Sequence, residues 1–177
     1  NLGRKMKLNN KVIENTSIKV ALNIFRVQAF TKRKIENSKF IDCNFGGRGD
    51  YGQLDITKSV FINTPINYPS STVNLTSSVF KSDKNNLTVS GSGFGSSMSG
   101  IEALISIGGG TISNTNISSS FYYGLKFNSG NSNVVNSTFS NSPSSIYFSN
   151  FSAINLNNIN FSNIKDYFLY NNSTKPL

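Results

Sequence analysis

The stretch IENTSI, Ile13 to Ile18, opens a series of seven similar hexapeptides in this chain of 177 residues. The later copies are IENSKF (35–40), ITKSVF (56–61), LTSSVF (75–80), ISNTNI (112–117), VVNSTF (134–139) and LNNINF (156–161). Each begins and ends with a large apolar residue, and successive copies start 22, 21, 19, 37, 22 and 22 residues apart. A period of roughly 20–50 residues is typical of solenoids, in which stacked repeats bury a shared core.

Two solenoid types fit this period, the leucine-rich repeat and the parallel β-helix. A leucine-rich repeat needs a helix or a 3₁₀ segment between its strands. Here the connecting segments resemble SNSPSSIYFSNFSA (140–153), which is rich in Ser, Asn and aromatic residues. Such residues are weak helix formers, and the aromatic ones favour strands. The sequence therefore predicts an all-β parallel helix.

The spacing within each hexapeptide predicts a bend. Residues five apart in a straight strand point to opposite faces, so the two apolar ends could not both enter a core without one. Asn occupies the third position in most copies, and Asn adopts the left-handed conformation more readily than any residue except Gly. We therefore expect the third-position asparagines to stack as a ladder of side-chain amides: Asn15, Asn37, Asn114, Asn136 and Asn158.

With this repeat and this asparagine position, residues 11–172 resemble the right-handed, pectate-lyase-like parallel β-helix superfamily. The resemblance implies coils of about 20–22 residues and an asparagine ladder at a tight bend between two sheets. The fragments FINT (61–64) and GGGTI (108–112) look like adhesin-type passengers of the polymorphic outer-membrane kind and like archaeal adhesin-like proteins. Viral spikes share the same architecture.

The repeat also suggests a domain organisation. Residues 1–10 are expected to form a basic tail or cap, 11–172 the β-helix of about seven or eight coils, and 173–177 a C-terminal tail. The long step contains SGSGFGSSMSG (90–100), which suggests a loop insertion after a strand at 87–89, although a degenerate coil is the alternative. The most hydrophobic stretch, 17–30, is either a bulged strand or a helix that caps the solenoid.

A third apolar series supports the coils. It comprises Ile105-Ser-Ile107, Leu125-Lys-Phe127, Ile146-Tyr-Phe148 and Phe168-Leu-Tyr170. The first and third members of each triplet are expected to point inward, because strand side chains alternate between faces. Each coil would then bury three or more large side chains, at ~1.5–3 kcal/mol each before the chain-entropy cost.

The composition leaves little catalytic chemistry. The chain has no histidine, which removes the usual general base, and its one cysteine, Cys43, cannot assemble a zinc site. The eight carboxylates do not recur at one coil position: the slot of Asp42 is filled in the other copies by Val20, Asn63, Ser82, Ser119, Asn141 and Asn163. We predict no catalytic residue, no metal site and no cofactor, and therefore no enzymatic activity.

Two features are candidates for partner binding, a tripeptide in a Gly-rich loop and a group of tyrosines. Arg48-Gly49-Asp50, in a Gly-rich loop (45–53), is an integrin-binding tripeptide, although a plain turn is the commoner explanation. Tyr122, Tyr123, Tyr147 and Tyr167 are expected on exposed faces, together with Asn, Ser and Thr side chains suited to a sugar, although a solvated solenoid face is the commoner explanation. The first three are the candidate binding residues. GGG at 108–110 does not open a helix and is interpreted as a turn rather than a phosphate loop.

Charge is concentrated at one end. Residues 1–58 carry twelve of the seventeen Lys and Arg and five of the eight acids, a net of +7 of the total +9. This basic third is suited to docking an acidic partner. Its cations are not interleaved with aromatic residues, which argues against nucleic acid as the partner.

These observations favour a non-enzymatic, extracellular or cell-surface β-helix that presents a rigid surface to a protein partner or a glycan. One alternative is a virion component of the tail-spike type, which could form a homo-oligomer and as a spike would be trimeric. Another is a polysaccharide lyase or hydrolase whose site is not recognisable in the sequence.

Overall fold

The structure is a computed structural model that describes residues 5–9, 12–14, 32–43, 45–46, 52–84, 102–149 and 153–172; for 5–9, 12–14 and Gly46 it describes the backbone alone. Sixteen β-strands lie within these residues: β1 (Lys5–Asn9), β2 (Val12–Glu14), β3 (Lys32–Glu36), β4 (Lys39–Ile41), β5 (Phe45–Gly46), β6 (Gln53–Thr57), β7 (Val60–Ile62), β8 (Ile66–Thr76), β9 (Val79–Ser82), β10 (Ala103–Ser113), β11 (Asn116–Ser119), β12 (Tyr123–Phe127), β13 (Asn131–Ser140), β14 (Ser144–Phe148), β15 (Ala153–Ser162) and β16 (Tyr167–Asn171).

Every strand pairing is parallel, and the chain winds as a β-solenoid with three faces. The first sheet follows β1, β3 and β6 and continues through the second halves of β8 and β10 into β13 and β15. The second sheet runs from β2 through β4, β7, β9 and β11 to the later parts of β13 and β15. The third contains β5, the first halves of β8 and β10, and then β12, β14 and β16. The predicted all-β solenoid is confirmed, and the leucine-rich repeat is excluded because the connecting segments also form strands.

Apolar side chains from equivalent positions of successive coils stack in columns that fill the interior. Phe40, Phe61 and Phe80 occupy one column of the second sheet, with neighbouring ring centroids 4.9 and 4.7 Å apart. The first positions of the hexapeptide form a second column, on the first sheet, and five of them are fully buried: Ile35, Ile56, Leu75, Ile112 and Val134. Since each coil covers the apolar side chains of the next, no coil could bury them alone.

The third position of the hexapeptide is the predicted bend. Asn37, Asn114, Asn136 and Asn158 all have left-handed backbones with φ between 47° and 50°. Lys58 and Ser77 fill the same position in the remaining coils, with φ of 49° and 50°. The Asn158 amide nitrogen donates to Oδ1 of Asn136 at 2.8 Å, so the asparagine ladder is confirmed here.

A column of buried hydroxyls lies directly after this bend. Ser38, Ser59, Ser78, Thr115 and Ser137 each donate a hydrogen bond to the carbonyl oxygen two residues earlier, at 2.7–2.9 Å. The Ser59 hydroxyl also accepts the backbone N–H of Ser38 at 3.2 Å, and Ser78 does the same for Ser59. These hydroxyls satisfy backbone groups that the bend removes from the sheet, which explains the Ser and Thr at the fourth position.

A second bend, which we did not predict, follows five residues later. Asp42, Asn63, Asn141 and Asn163 have φ of 51°, 46°, 63° and 52°. The Asn163 amide nitrogen donates to Oδ1 of Asn141 at 2.8 Å, forming a second ladder. These four coils therefore have two left-handed bends between their first and third sheets.

The first coil has a different register from the one we expected. Ile13 pairs with Phe40, the last position of the hexapeptide, and Leu8 pairs with Ile35, the first position. The first copy is therefore LNNKVI (8–13) rather than IENTSI (13–18). Strand β1 also lies within the stretch 1–10 that we expected to be a tail or cap.

The last coil of the third sheet is shifted by one residue relative to our prediction. Ile146 pairs with Leu169, not Phe168, so Tyr170 aligns with Tyr147 on the outside. Phe168 is 57% exposed and stacks on Phe161 at 5.1 Å.

The glycines 108–110 form the corner between the third and first sheets within β10. A side chain at Gly110, where φ is +138°, would clash with the Val73 carbonyl. This corner is the turn that we inferred from the triplet.

Several predictions fall outside the described residues. They concern the ladder residue Asn15, the tripeptide Arg48-Gly49-Asp50, the stretch 17–30, the insertion near 90–100 and the tail 173–177. Within the described part of the chain, no helix has the length and apolar character needed to cross a membrane.

Candidate functional site: a tyrosine surface on the third sheet

Five tyrosines lie close together on the third sheet, four of them on its strands and one just before β12, because the strands pair in parallel register. Tyr147 pairs with Lys126 on the strand before it and with Tyr170 on the strand after it, so these three side chains form one outward column. Tyr123 and Tyr167 occupy the register position three residues earlier, two coils apart. We call Tyr122, Tyr123, Tyr147, Tyr167 and Tyr170 the tyrosine surface.

Three of these rings pack against one another. The centroids of Tyr123 and Tyr147 lie 4.8 Å apart, and those of Tyr147 and Tyr170 lie 5.4 Å apart with the rings almost parallel. Tyr123 and Tyr170 are 6.3 Å apart, which closes a triangle. These distances lie within the range of favourable aromatic contacts, so the rings hold each other in place.

The other two rings flank this triangle and are more exposed. Tyr122 lies perpendicular to Tyr123 at 4.7 Å and is 46% exposed. Tyr167 meets Tyr170 at 5.4 Å in an edge-to-face contact and is 50% exposed. The surface thus combines a packed centre with two accessible rims.

Polar groups border the rings without leaving a net charge. Lys126 Nζ lies 4.8 Å from the Tyr147 centroid, a cation–π distance, and 3.1 Å from Oε2 of Glu102. The Asn172 amide nitrogen donates to the Tyr147 hydroxyl at 2.8 Å. One ring face of Tyr147 therefore lies against a cation and the other against Tyr170, while its hydroxyl joins a polar edge.

Tyr123 is the most enclosed member, with 8% of its surface exposed. Burial, with smaller contributions from Tyr122, Tyr147, Glu102 and Tyr170, raises the pKa of its phenol to about 12. The hydroxyl therefore stays protonated at neutral pH and acts as a neutral hydrogen-bonding group, not as a base.

The structure brings together the three candidate residues Tyr122, Tyr123 and Tyr147, although Tyr123 is buried where we expected exposure. Tyr167, which we also expected to be exposed, is half exposed in the same cluster. It adds Tyr170, which we had placed inside the core because of the one-residue error in register. The signal was present in the sequence: the pair Leu169-Tyr170 repeats Ile146-Tyr147.

The carboxylates in the described ranges are dispersed. Four of them form ion pairs: Glu36 with Lys34, Asp42 with Lys84, Asp55 with Lys32, and Glu102 with Lys126. The hydrogen bond from Lys84 is the main reason why the pKa of Asp42 lies below its usual value. In the described ranges, no three His, Cys, Asp or Glu side chains are grouped so that they could hold a metal ion.

The chain matches no protein-family model, no curated protein and no solved structure. What the chain shows is a parallel β-solenoid fold, consistent with a parallel β-helix.

Proposed function

We propose that this protein is a non-enzymatic adhesion protein of the cell surface or extracellular space, and that the tyrosine surface is its binding site. The observation that carries the proposal is the position of Tyr122 and Tyr167, which are about half exposed at the rims of a rigidly packed ring cluster. Accessible tyrosines on a rigid support provide contact area at little cost in conformational entropy.

The solenoid supplies that support. The tyrosines project from β12, β14 and β16, whose inward residues include the buried Leu125, Ile146 and Phe148. Because the strands are fixed by pairing on both sides or by core packing, the surface is organised before a partner arrives. Preorganisation of this kind lowers the cost of binding.

Two observations favour binding over catalysis. The full chain has no histidine, and the titratable group most perturbed within the surface, Tyr123, is shifted away from neutral pH. General acid–base catalysis favours groups with a pKa near the working pH. A polysaccharide lyase or hydrolase is therefore a weaker candidate.

The proposal is tested by measuring adhesion. The immobilised protein is exposed to a panel of intact cells and purified cell-surface polysaccharides, alongside the double variant Y122A/Y167A. The matched control is N116A/N160A, which removes two exposed side chains from the second sheet. We expect binding to at least one surface, reduced by the tyrosine double variant and unchanged in the control. Absence of binding to the whole panel, or equal loss in both variants, overturns the proposal.

A further inference from the structure

From the arrangement of the five rings we infer that the ligand is an uncharged oligosaccharide of three or more sugar units, lying along the solenoid axis. This inference rests on the proposed function and specifies the chemistry of its partner. Three features carry it: the positions of the two accessible rings, the closed centre between them, and the cancelled charge.

The accessible rings are separated along the axis. Tyr123 pairs with Ser144, and Ser144 pairs with Tyr167, so the backbones of Tyr123 and Tyr167 lie two strand spacings apart, or ~9.5 Å. Tyr122, adjacent to Tyr123 in the chain, and Tyr167 therefore lie near opposite axial ends of the surface. A ligand that contacts both must be extended, and a single sugar ring is too short.

The middle ring of the surface, that of Tyr147, offers no open face. Tyr147 is covered by Lys126 on one side and by Tyr170 on the other. What remains at the centre is a polar edge that includes the Tyr147 hydroxyl and the Asn172 amide, 2.8 Å apart. Sugar hydroxyls both donate and accept, so they can bond to such an edge, whereas a sugar's C–H face packs on an accessible aromatic ring. The expected pattern is stacking at Tyr122 and Tyr167 with hydrogen bonding between them.

Charge selects against acidic sugars. Lys126 lies beside the Tyr147 ring, and Glu102 neutralises it at 3.1 Å. The Glu102 side chain is 63% exposed, so it also presents a negative charge to an approaching ligand. A uronate would meet that carboxylate and would have to displace it from Lys126.

Calorimetric titration of the protein with neutral gluco- and manno-oligosaccharides of one to six units tests the inference. We expect affinity to rise up to at least the trisaccharide, and Y122A and Y167A each to weaken the longer ligands by about 2–10-fold. The variants Y122F and Y167F, which keep the rings, should bind like the parent. Circular dichroism checks that each variant retains its β-structure.

The variant E102Q provides a second readout. It leaves Lys126 unpaired, so we expect uronate-containing oligosaccharides, which bind the parent weakly or not at all, to bind E102Q more tightly. Equal affinity for a monosaccharide and a hexasaccharide, or preference of the parent for uronates, overturns the inference. Adhesion that survives enzymatic removal of glycans but is lost in Y122A/Y167A also overturns it, while leaving the proposed adhesive function in place.

Discussion

Asn158 and Asn136 lie one coil apart at the same bend, and the amide nitrogen of the first donates to the amide oxygen of the second at 2.8 Å. Their φ angles are 50° and 49°, so hydrogen bond and backbone conformation recur together. An analogous bond joins Asn155 to Asn133 on the outer face of the first sheet. These side chains are exposed, so the ladder contributes mainly by fixing the bend and only modestly through each hydrogen bond.

Replacing Asn136 separates the contribution of the bend conformation from that of the hydrogen bond. Asn136→Ala removes the ladder bond and places an alanine at φ 49°, so we expect unfolding free energy to fall by about 1–2 kcal/mol. Asn136→Gly also removes the bond but accepts the backbone angle and should lose less. Urea denaturation of both variants measures the difference. Equal losses would show that the hydrogen bond, not the backbone angle, dominates.

A buried hydroxyl after the first bend is expected to contribute more to stability than the Asn136 side chain, although Ser→Ala removes only one oxygen atom. Ser59→Ala removes both hydrogen bonds of a buried hydroxyl, the one it accepts from the Ser38 backbone N–H and the one it donates to the Thr57 carbonyl, at a cost of about 1–3 kcal/mol. Ser59→Thr keeps the hydroxyl and should be tolerated, because Thr115 occupies the same position in another coil. Thermal denaturation of the pair checks this. A threonine variant as unstable as the alanine variant would contradict the role given to the hydroxyl.

The corner glycine predicts intolerance of any side chain. Gly110→Ala introduces a Cβ against the Val73 carbonyl at a backbone angle that other residues rarely adopt, so we expect a loss of about 3 kcal/mol or more. Gly130→Asn is the matched control, since Gly130 also has a positive φ of +76° but a Cβ there would meet only the Gly109 Cα, at 4.0 Å. The yield and thermal midpoint of each variant are the measurements. Similar stability in the two variants would argue against the close approach.

Asp55 predicts a loss of stability in acid. Burial raises its pKa, but hydrogen bonds from Gln53, Asn74 and Lys32 outweigh burial and lower the pKa below 3.8. A carboxylate whose pKa is lower in the folded state stabilises the fold above its unfolded-state pKa, and that contribution disappears as pH falls through the folded-state value. In Asp55→Asn the thermal unfolding midpoint should therefore fall less steeply than in the parent as the pH drops below about 4. A variant whose acid dependence matches the parent's would refute this assignment.

Tyr123 should make the fold less stable in alkali, whereas Asp55 makes it less stable in acid. Its folded-state pKa of about 12 exceeds the usual 10, so its contribution is present below pH 10 and is lost as pH rises toward 12. Ultraviolet titration of phenolate absorbance should show a late-titrating tyrosine that Tyr123→Phe removes. Burial also raises the pKa of Tyr68, so late titration by that residue should remain in the variant. Titration of every tyrosine near pH 10 in the folded protein would contradict both assignments.

The periodic part of the fold was predictable because one physical constraint repeats. A core-facing residue before and after a bend, with Asn at the bend, identifies Ile35, Asn37 and Phe40, and the same set recurs in later coils. The first coil was misplaced because Ile13-Glu-Asn15 imitates Ile35-Glu-Asn37, whereas β-pairing uses Leu8 and Ile13 as the two apolar ends. Local similarity could not reveal which of two overlapping registers the sheets would accept.

The second bend shows a different limit. Asn63, Asn141 and Asn163 recur five residues after the first bend, and this recurrence was visible in the sequence. The same slot also holds Ser82 and Ser119, neither of which has a positive φ. A position filled partly by asparagine and partly by serine does not specify one backbone angle, and pairing with the neighbouring coil decides it. The tyrosine surface was only partly predictable for a related reason, because a one-residue register error exchanges inside and outside.

Ile66 and Ile105 are direct partners in the third sheet although 39 positions separate them in the chain, while Ile105 and Leu125, the next pair, are only 20 apart. Strands can therefore be direct neighbours in the third sheet whether about 20 or about 40 residues separate them in the chain. The number of residues that join consecutive coils could therefore be varied while the register of their strands is kept, because the entropy cost of closing a loop grows only slowly with its length.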